Sequence, residues 1–516
     1  MHRRSLVLPL AAALLAACSN DVVAPLKAPT GSKFAVNVDG GGNYIFTANG
    51  KGFPSTFAAK VSSVGGSLTY LNDNAGFALV GGLSSSAASQ LGALGGISDV
   101  VQDEAFTADL GVSTAEADVT STGEPVANSV ANPATGVRFS WQWNMRLIDA
   151  PAAWAAGKLG NAGVTVAILD TGLDYDIPDL NGLVDLSRST SFMDTYFLAP
   201  GEKVRHLSDN ATTTKFFPTR NPVTDYNGHG TNVATQVSSK APVHAGVTSK
   251  STLIGVKVLG SNGSGTTGTV LAGVLWAADH GADVANMSLG GGFGKSGAGS
   301  LVSLINRVFN YANRAGMLIV VSAGNSAFDL QHNGNFESTY CDSPHVICVS
   351  AVGPTTFTGN GDLGAFYTNF GRGALDVAAP GGNYAADANG NPIVDKDGNV
   401  VVTPWPWGPD FASWVWSYCA KNRIGGWKIN GTTAADTADV TKHQPLTTAC
   451  AAGNRVTAYI GTSQASPHVA GLAALLVSEM GHGHPSQIKN TILNSAVPID
   501  PLLGRGRISV KNALGL

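Results

Sequence analysis

From residue 139 onward, short apolar runs recur with helix-period segments between them. VTVAILD, LIGVKVL, DVANMSL, MLIVVSAG, VICVSAV and LDVAAP have almost no polar side chain to turn toward water. A strand of that kind must be covered on both faces, which is the situation of a parallel sheet between two helical layers. The intervening segments supply such helices: TVLAGVLWAADHG, SLINRVFNYANRAG and PHVAGLAALLVSEMG carry apolar residues at helical spacing. The alternation predicts an α/β fold, a parallel sheet with helices on both faces. Residues 383–457 interrupt it with a stretch rich in Gly, Asn, Asp and Trp.

Three residues stand at places where such a fold does chemistry. Asp170 ends VTVAIL, and open α/β sheets place ligands at the ends of their strands. His229 lies between Gly228 and Gly230, where the backbone can pass close to a substrate. Ser466 precedes Pro467 and an apolar helical run, so it is expected at the positive start of a helix. A serine hydroxyl is a weak nucleophile until an imidazole takes its proton, and a carboxylate must hold that imidazole in the right tautomer. Taken singly, the three read as a turn aspartate, a core histidine and an N-cap serine. In VVSAGNSA, Asn325 follows a buried strand and offers a fixed amide donor for an oxyanion.

These stretches carry a resemblance. Residues 141–516 resemble the subtilisin-like (subtilase) serine proteases, in WQWNMRLIDAPAAW, DTGLDYDIPDL, HGTNVA and GTSQASPHVAG, with VKVLGSNGSG, VANMSLGGG and VVSAGN between them in the family's order. The resemblance implies a catalytic triad of Asp170, His229 and Ser466 and an oxyanion donor in Asn325. It implies that Gly263, Ser264 and Gly265, with Ser288, Leu289 and Gly290, flank an extended peptide. Ala323 and Gly324 would wall the first specificity pocket, and the absence of charge in these stretches favours apolar or permissive specificity there. Two positions depart from the family: Asn232 stands where a histidine is common, and Gln464 where methionine is common. No cofactor is required for this chemistry. Structural calcium has no clear motif: Asp179 occupies a ligand position of some subtilases, but its partner loop is not recognisable. Asp387 and Asp395 begin loops whose twelfth positions hold Gly398 and Pro406 instead of an acid, and hairpin turns are the better reading. Asp174 and Asp176 read as a solvated loop, and Trp405, Trp407, Trp414 and Trp416 as packing for the interruption.

The amino-terminal third reads as a set of accessory pieces. His2, Arg3 and Arg4 precede the apolar stretch 6–17, and Leu15-Ala16-Ala17-Cys18 resembles a bacterial lipobox, so residues 1–18 are expected to be a signal with Cys18 as the lipid attachment. Ser19 suggests outer-membrane sorting in a Gram-negative cell, with extracellular release after processing as the other outcome. Residues 19–32 read as a tether. Residues 33–108 follow the order strand, helix, strand, strand, helix, strand, opening at KFAVNV and closing at ISDVVQDEAF. That order is ferredoxin-like and resembles the family's propeptide, a folding partner and inhibitor. Residues 109–138 are small, polar and weakly acidic, a linker in which a maturation cut is expected. Beyond Cys18 four cysteines remain for an oxidising compartment. They allow three connectivities, of which Cys341–Cys348 and Cys419–Cys450 are favoured by proximity. A net charge of −4 gives nucleic-acid binding no support. The expected protein is an exported, lipid-anchored serine endopeptidase, with protein or peptide substrates and its own propeptide as partners and with no oligomeric state implied. The rivals are a surface-binding lipoprotein on the same scaffold with a silent site, and an esterase.

Overall fold

The computed structural model describes residues 42–50, 52–118, 129–332, 334–338, 340–355, 359–395 and 413–516. The signal, Cys18, the tether, the KFAVNV strand, part of the linker, Gly398, Pro406, Trp405 and Trp407 lie outside the described residues. Within them no helix is long and apolar enough to cross a membrane.

The chain opens with a small antiparallel unit. Strands β1 (Gly42–Ala48), β2 (Ser67–Asn72), β3 (Phe77–Leu83) and β4 (Ile97–Asp103) form a sheet of order β2-β3-β1-β4. Helix α1 (Phe57–Ser63) joins β1 to β2, and α2 (Ser85–Gly92), capped by Ser84, joins β3 to β4. This is the ferredoxin-like order, with GNYIFTA as its first described strand. The closing segment divides in two: after β4, the chain leaves the sheet as β5 (Ala105–Thr107) and continues as β6 (Val112–Asp118). A polar, core-less sequence still forms strands here because both pair through their backbones with edges supplied by the larger domain.

That domain carries two short helices, α3 (Trp143–Leu147) and α4 (Ala150–Ala155), then β7 (Thr165–Asp170), β8 (Thr190–Ser191), α5 (Asp209–Phe216) and α6 (His229–Val237). Next come β9 (Thr252–Lys257), β10 (Ser264–Thr266), α7 (Thr267–Asp279), β11 (Val284–Met287), β12 (Gly292–Gly294) and α8 (Gly299–Arg314). Strands β13 (Leu318–Ser322), β14 (Phe336–Ser338), β15 (Val346–Val352) and β16 (Val377–Pro380) complete the framework. Seven strands form one parallel sheet, β16-β15-β13-β11-β7-β9-β8. Along each strand, side chains alternate between two cores. Val166, Ile168, Leu318 and Val320 join one, while Ala167, Leu169, Ile319 and Val321 join the other. Double coverage is why these strands are apolar without a break.

The described residues of the interruption include two antiparallel strand pairs, one nested in the other and forming a hairpin. Strand β17 (Val415–Tyr418) pairs antiparallel with β20 (Arg455–Ile460), and β18 (Ile424–Ile429) with β19 (His443–Thr447), with α9 (Ala434–Ala438) between the latter two. Cys419 lies at bonding distance from Cys450, and Cys341 from Cys348. Trp414 and Trp416 are buried in the first core. In the inner pair, Trp427 stacks on His206 at 4.6 Å between ring centres, and His206 Nδ1 bonds His443 Nδ1 at 2.8 Å. Helix α10 (Thr462–Met480) follows β20 directly.

The small unit shares a core with the large one. Tyr44, Phe46, Ala78 and Val80 point to α1 and α2, whereas Ile45, Phe77 and Leu79 point into the core around α7 and α8. Asp103 accepts the Gly268 backbone N–H at 2.7 Å, in the first turn of α7. Burial pushes the Asp103 carboxyl up to about 7, against the opposing effect of its hydrogen bonds. A raised carboxyl in the docked state means that its stabilisation is complete below about pH 4, its free value, and is lost as pH rises through about 7. The unfolding temperature of the full chain should therefore fall, relative to Asp103→Asn, as pH is raised across that window. Parallel curves for the two proteins would show that Asp103 does not couple docking to pH.

Candidate active site

Strand β7 ends at Asp170, buried at the carboxyl edge of the sheet. Its Oδ1 accepts the Thr171 backbone N–H at 2.7 Å and lies 2.8 Å from His229 Nδ1. His229 is the first residue of α6. A Cβ at Gly230 would lie 2.2 Å from the Gly172 carbonyl and 3.1 Å from the Asp170 Cβ, so only glycine lets the helix start this close to the strand end. Asp225 fixes the turn before it: its Oδ1 accepts the Gly228 N–H at 2.8 Å and its Oδ2 the Thr231 hydroxyl at 2.6 Å. Thr171 Oγ1 closes the ring, donating to Asp225 Oδ1 at 3.0 Å and accepting from Gly230 N. Asp225 and Thr171 were missed in the sequence reading, although Asp-Tyr-Asn-Gly before the histidine is a turn signature.

Ser466 is placed differently from the expectation. Helix α10 begins at Thr462, so Ser466 is its fifth residue and Pro467 lies inside the helix. Proline lacks an N–H and leaves the Ser463 carbonyl without its helical donor. Ser288 Oγ donates to that carbonyl at 2.7 Å, which is how the helix continues through the proline. Ser466 Oγ lies 2.8 Å from Ser288 Oγ. With Ser288's proton committed to Ser463 and Asn286 Nδ2 donating to it at 2.9 Å, the Ser466 hydroxyl is the donor of that bond. The buried His229 Nε2 makes no hydrogen bond.

Asn325 follows β13. Its Oδ1 accepts from the Thr462 N–H at 2.7 Å and the Thr462 hydroxyl at 2.9 Å, which aims Nδ2 into the cleft. There Nδ2 donates to the Asp109 backbone carbonyl at 3.2 Å. The same segment lies along β10: Ala105, Phe106 and Thr107 pair antiparallel with Thr266, Gly265 and Ser264, and Ala108 N donates to the Gly263 carbonyl at 3.0 Å. Gly263, Ser264 and Gly265 therefore meet an extended segment of the chain itself. Ser288, Leu289 and Gly290 are not part of that two-stranded sheet. Ser288 meets Ser466 instead, and Leu289 is buried in the second core. Ala323 is buried, its carbonyl accepting from Asn369, and Gly324 N donates to Thr462 Oγ1 at 3.0 Å.

The two departures from the family pattern meet each other. Gln464 Nε2 donates to Asn232 Oδ1 at 3.3 Å, and Asn232 Nδ2 donates to Ser417 Oγ at 2.8 Å and to the Val415 carbonyl at 3.3 Å. Gln236, one turn on, donates to the Trp416 carbonyl at 3.0 Å. The helix of His229 and the helix of Ser466 are thus tied to each other and to strand β17. His468 is also in this seam, between Asn144 and the Gln464 carbonyl, with its pKa lowered to about 4 by burial.

Asp174 is not solvated. It is buried, pairs with Arg220 at 2.8 Å and accepts the Lys421 N–H, and burial raises its pKa in spite of Arg220. Asp176, exposed, takes the other side of Arg220. Nor do the residues at Asp179 fit calcium. Its oxygens face donors, the N–H groups of Val243 and His244 at 3.0 and 3.3 Å, with His244 Nδ1 at 3.5 Å. A cation needs oxygens there. Asp387 accepts from Asn389 N and Asn391 N, a turn of the kind expected.

Comparison with known proteins bears on the family and the fold. The profile described as Subtilase family matches residues 161–515. Alkaline elastase YaB of Bacillus sp. (strain YaB) is 32% identical over 264 residues, covering 51% of this chain and 57% of the elastase. Subtilisin Savinase of Lederbergia lenta is 31% identical over 264 residues, covering 51% of this chain and 80% of that protein. The chain thus spans little more than half the length of the elastase. Among solved structures, an epidermin leader peptide processing serine protease from Staphylococcus aureus shares the fold, with a TM-score of 0.58 at 20% identity over 92% of this chain and 98% of the other.

Removing the Asn232 amide would leave buried polar groups on Gln464 and Ser417 short of a partner. Asn232→Leu is expected to lower stability by about 1–3 kcal/mol, measured as the shift in the denaturant midpoint at unchanged slope.

Proposed function

The chain belongs to the subtilase family, and from that premise we propose that it is a serine endopeptidase made as a self-processing proenzyme. The observation that carries the reading is the Asp109 carbonyl held by the Asn325 amide while residues 105–108 lie along β10. A chain that continues on both sides of the bound carbonyl is an endopeptidase substrate. It also makes Asp109–Leu110 the bond cut during maturation, at the first residue of the linker.

The chemistry follows from the groups at hand. Ser466 Oγ, turned from Ser288 to His229, attacks the Asp109 carbonyl carbon as His229 Nε2 takes its proton. Asp170 holds the imidazole through Nδ1 and stabilises its charged form. Asn325 Nδ2 donates to the oxyanion. The carbon–nitrogen bond then breaks, and the Leu110 amine leaves with the proton carried by His229. Water, deprotonated by the same imidazole, hydrolyses the ester and leaves the Asp109 carboxylate and free Ser466. A silent binding scaffold accounts neither for the Asp170–His229 pair nor for a peptide carbonyl held at an amide donor. An extended strand on β10 favours amide over simple ester substrates.

Residues 42–109 take the role of propeptide in this reading, and the export signal, Cys18 lipidation and an outer-membrane or released enzyme complete it. Intact mass measurement of protein from membranes and medium, with a fluorophosphonate probe, tests the whole. The wild type should yield a probe-labelled chain beginning at Leu110, and Ser466→Ala should remain uncut at that bond and unlabelled. Ser466→Ala that matures in a protease-free preparation would sink self-processing. Asn325→Ala should lower kcat by about 10²–10³.

A further inference from the structure

Beyond the bound carbonyl the chain turns sharply and then runs straight. Asp109 Oδ1 accepts the Gly111 N–H at 3.2 Å, and Gly111 has φ of +72°, in the left-handed region. A Cβ at Gly111 would lie 2.1 Å from the Ile460 carbonyl oxygen and 3.2 Å from the Gly461 Cα. Both obstacles are backbone. They join β20 to the helix of Ser466 and cannot retreat without moving the nucleophile.

After the turn, β6 lies antiparallel on the free edge of β20. Val112 pairs with Ile460, Ser113 with Tyr459, Thr114 with Ala458, Ala117 with Val456 and Asp118 with Arg455. Strand β20 is braced from its other side by β17, giving the order β17-β20-β6. The Cys419–Cys450 pair closes the opposite end of that brace. The turn and the strand are one device, because only a chain that turns at position 111 can leave the cleft along β20.

We propose that the enzyme selects its substrates on the carboxyl side of the cut, requiring glycine at the second residue after the scissile bond, followed by an extended segment that adds to the edge of β20. The inference rests on reading the cleft as a peptidase site. Its substrate class is unfolded or disordered protein with an X–Gly step beyond the cut, since a folded segment cannot offer about seven consecutive backbone positions to a sheet edge. Residues 112–118 occupy this edge before maturation.

The test puts the variation in the substrate, so that enzyme folding does not enter. Matured wild-type enzyme is given three peptides: residues 105–118 (AFTADLGVSTAEAD), the same peptide with the Gly111→Ala change, and a version truncated after the glycine. The alanine peptide should lose about a hundredfold in kcat/KM, as expected where a methyl group meets immovable backbone. Truncation should cost about tenfold, chiefly through KM, as lost strand pairing predicts. Full-length Gly111→Ala should also self-process more slowly by a similar factor. Cleavage of the glycine and alanine peptides at rates within about threefold overturns the inference and leaves the peptidase reading intact. Failure to cut any peptide, with no self-cut at Asp109–Leu110, takes down the peptidase reading and this inference with it.

Discussion

A carboxylate taken out of water must find donors, and much of this molecule is arranged around the one at Asp170. Buried at the end of β7, it finds the Thr171 N–H and the His229 ring. For the ring to reach it, α6 must begin against the strand end. That forces glycine at 230 and a turn whose own donors are gathered by Asp225. An unpaired charge there would cost several kcal/mol. The loop before the histidine is accordingly held by Asp225, which accepts from Asn227 N, Gly228 N, Thr231 N and the Thr231 hydroxyl. The placement of His229 is thus a consequence of bringing donors to a buried carboxylate, with the sheet as the fixed frame.

The serine side is built on a different constraint, the missing N–H of Pro467. The carbonyl it frees is met by Ser288, and the same hydroxyl receives the proton of Ser466. Ser466 is therefore held by the residue that repairs its helix. The polar seam of Asn232, Gln464 and Ser417 then ties α6 to α10. Each departure from the family pattern would be a buried polar liability by itself. Together they satisfy one another and bring β17 into the support of the site.

The legible part of the fold was the part written in side chains. Unbroken apolar runs required two cores, and the alternation of Val166 with Ala167 and Ile168 with Leu169 between them is the physical content of that pattern. Asp170, His229, Ser466 and Asn325 stood out because each sits beside residues with a special backbone role. What stayed hidden was written in the backbone or in long-range partners. Strands β5 and β6 have no apolar alternation to announce them, since their edges ask only for N–H and C=O groups. Asp174 read as solvated because Arg220, which pairs with it, and Lys421, whose backbone N–H donates to it, are 46 and 247 residues away. The helix start at Thr462 was obscured because proline normally marks a first turn, and the Ser288 hydroxyl that overrides the rule comes from another strand.

The interface between the two units decides what a cut at Asp109–Leu110 can do. Ile45, Phe77 and Leu79 are fully or almost fully buried against the catalytic domain's helices, each worth about 1.5–3 kcal/mol of hydrophobic burial before ordering costs. Asn72 donates to the Asp279 carboxylate across the same boundary at 2.6 Å, beside Tyr311 of the larger domain on its other oxygen, and Arg307 reaches the Ala48 carbonyl. None of these contacts depends on the peptide bond. Breaking it converts an intramolecular partner into a bound one, without the effective concentration that the linker gave. A lipid on the amino-terminal unit would then hold the catalytic domain through packing alone. The two units would then stay together only as firmly as β5 on β10 and Asp103 on the Gly268 N–H hold them.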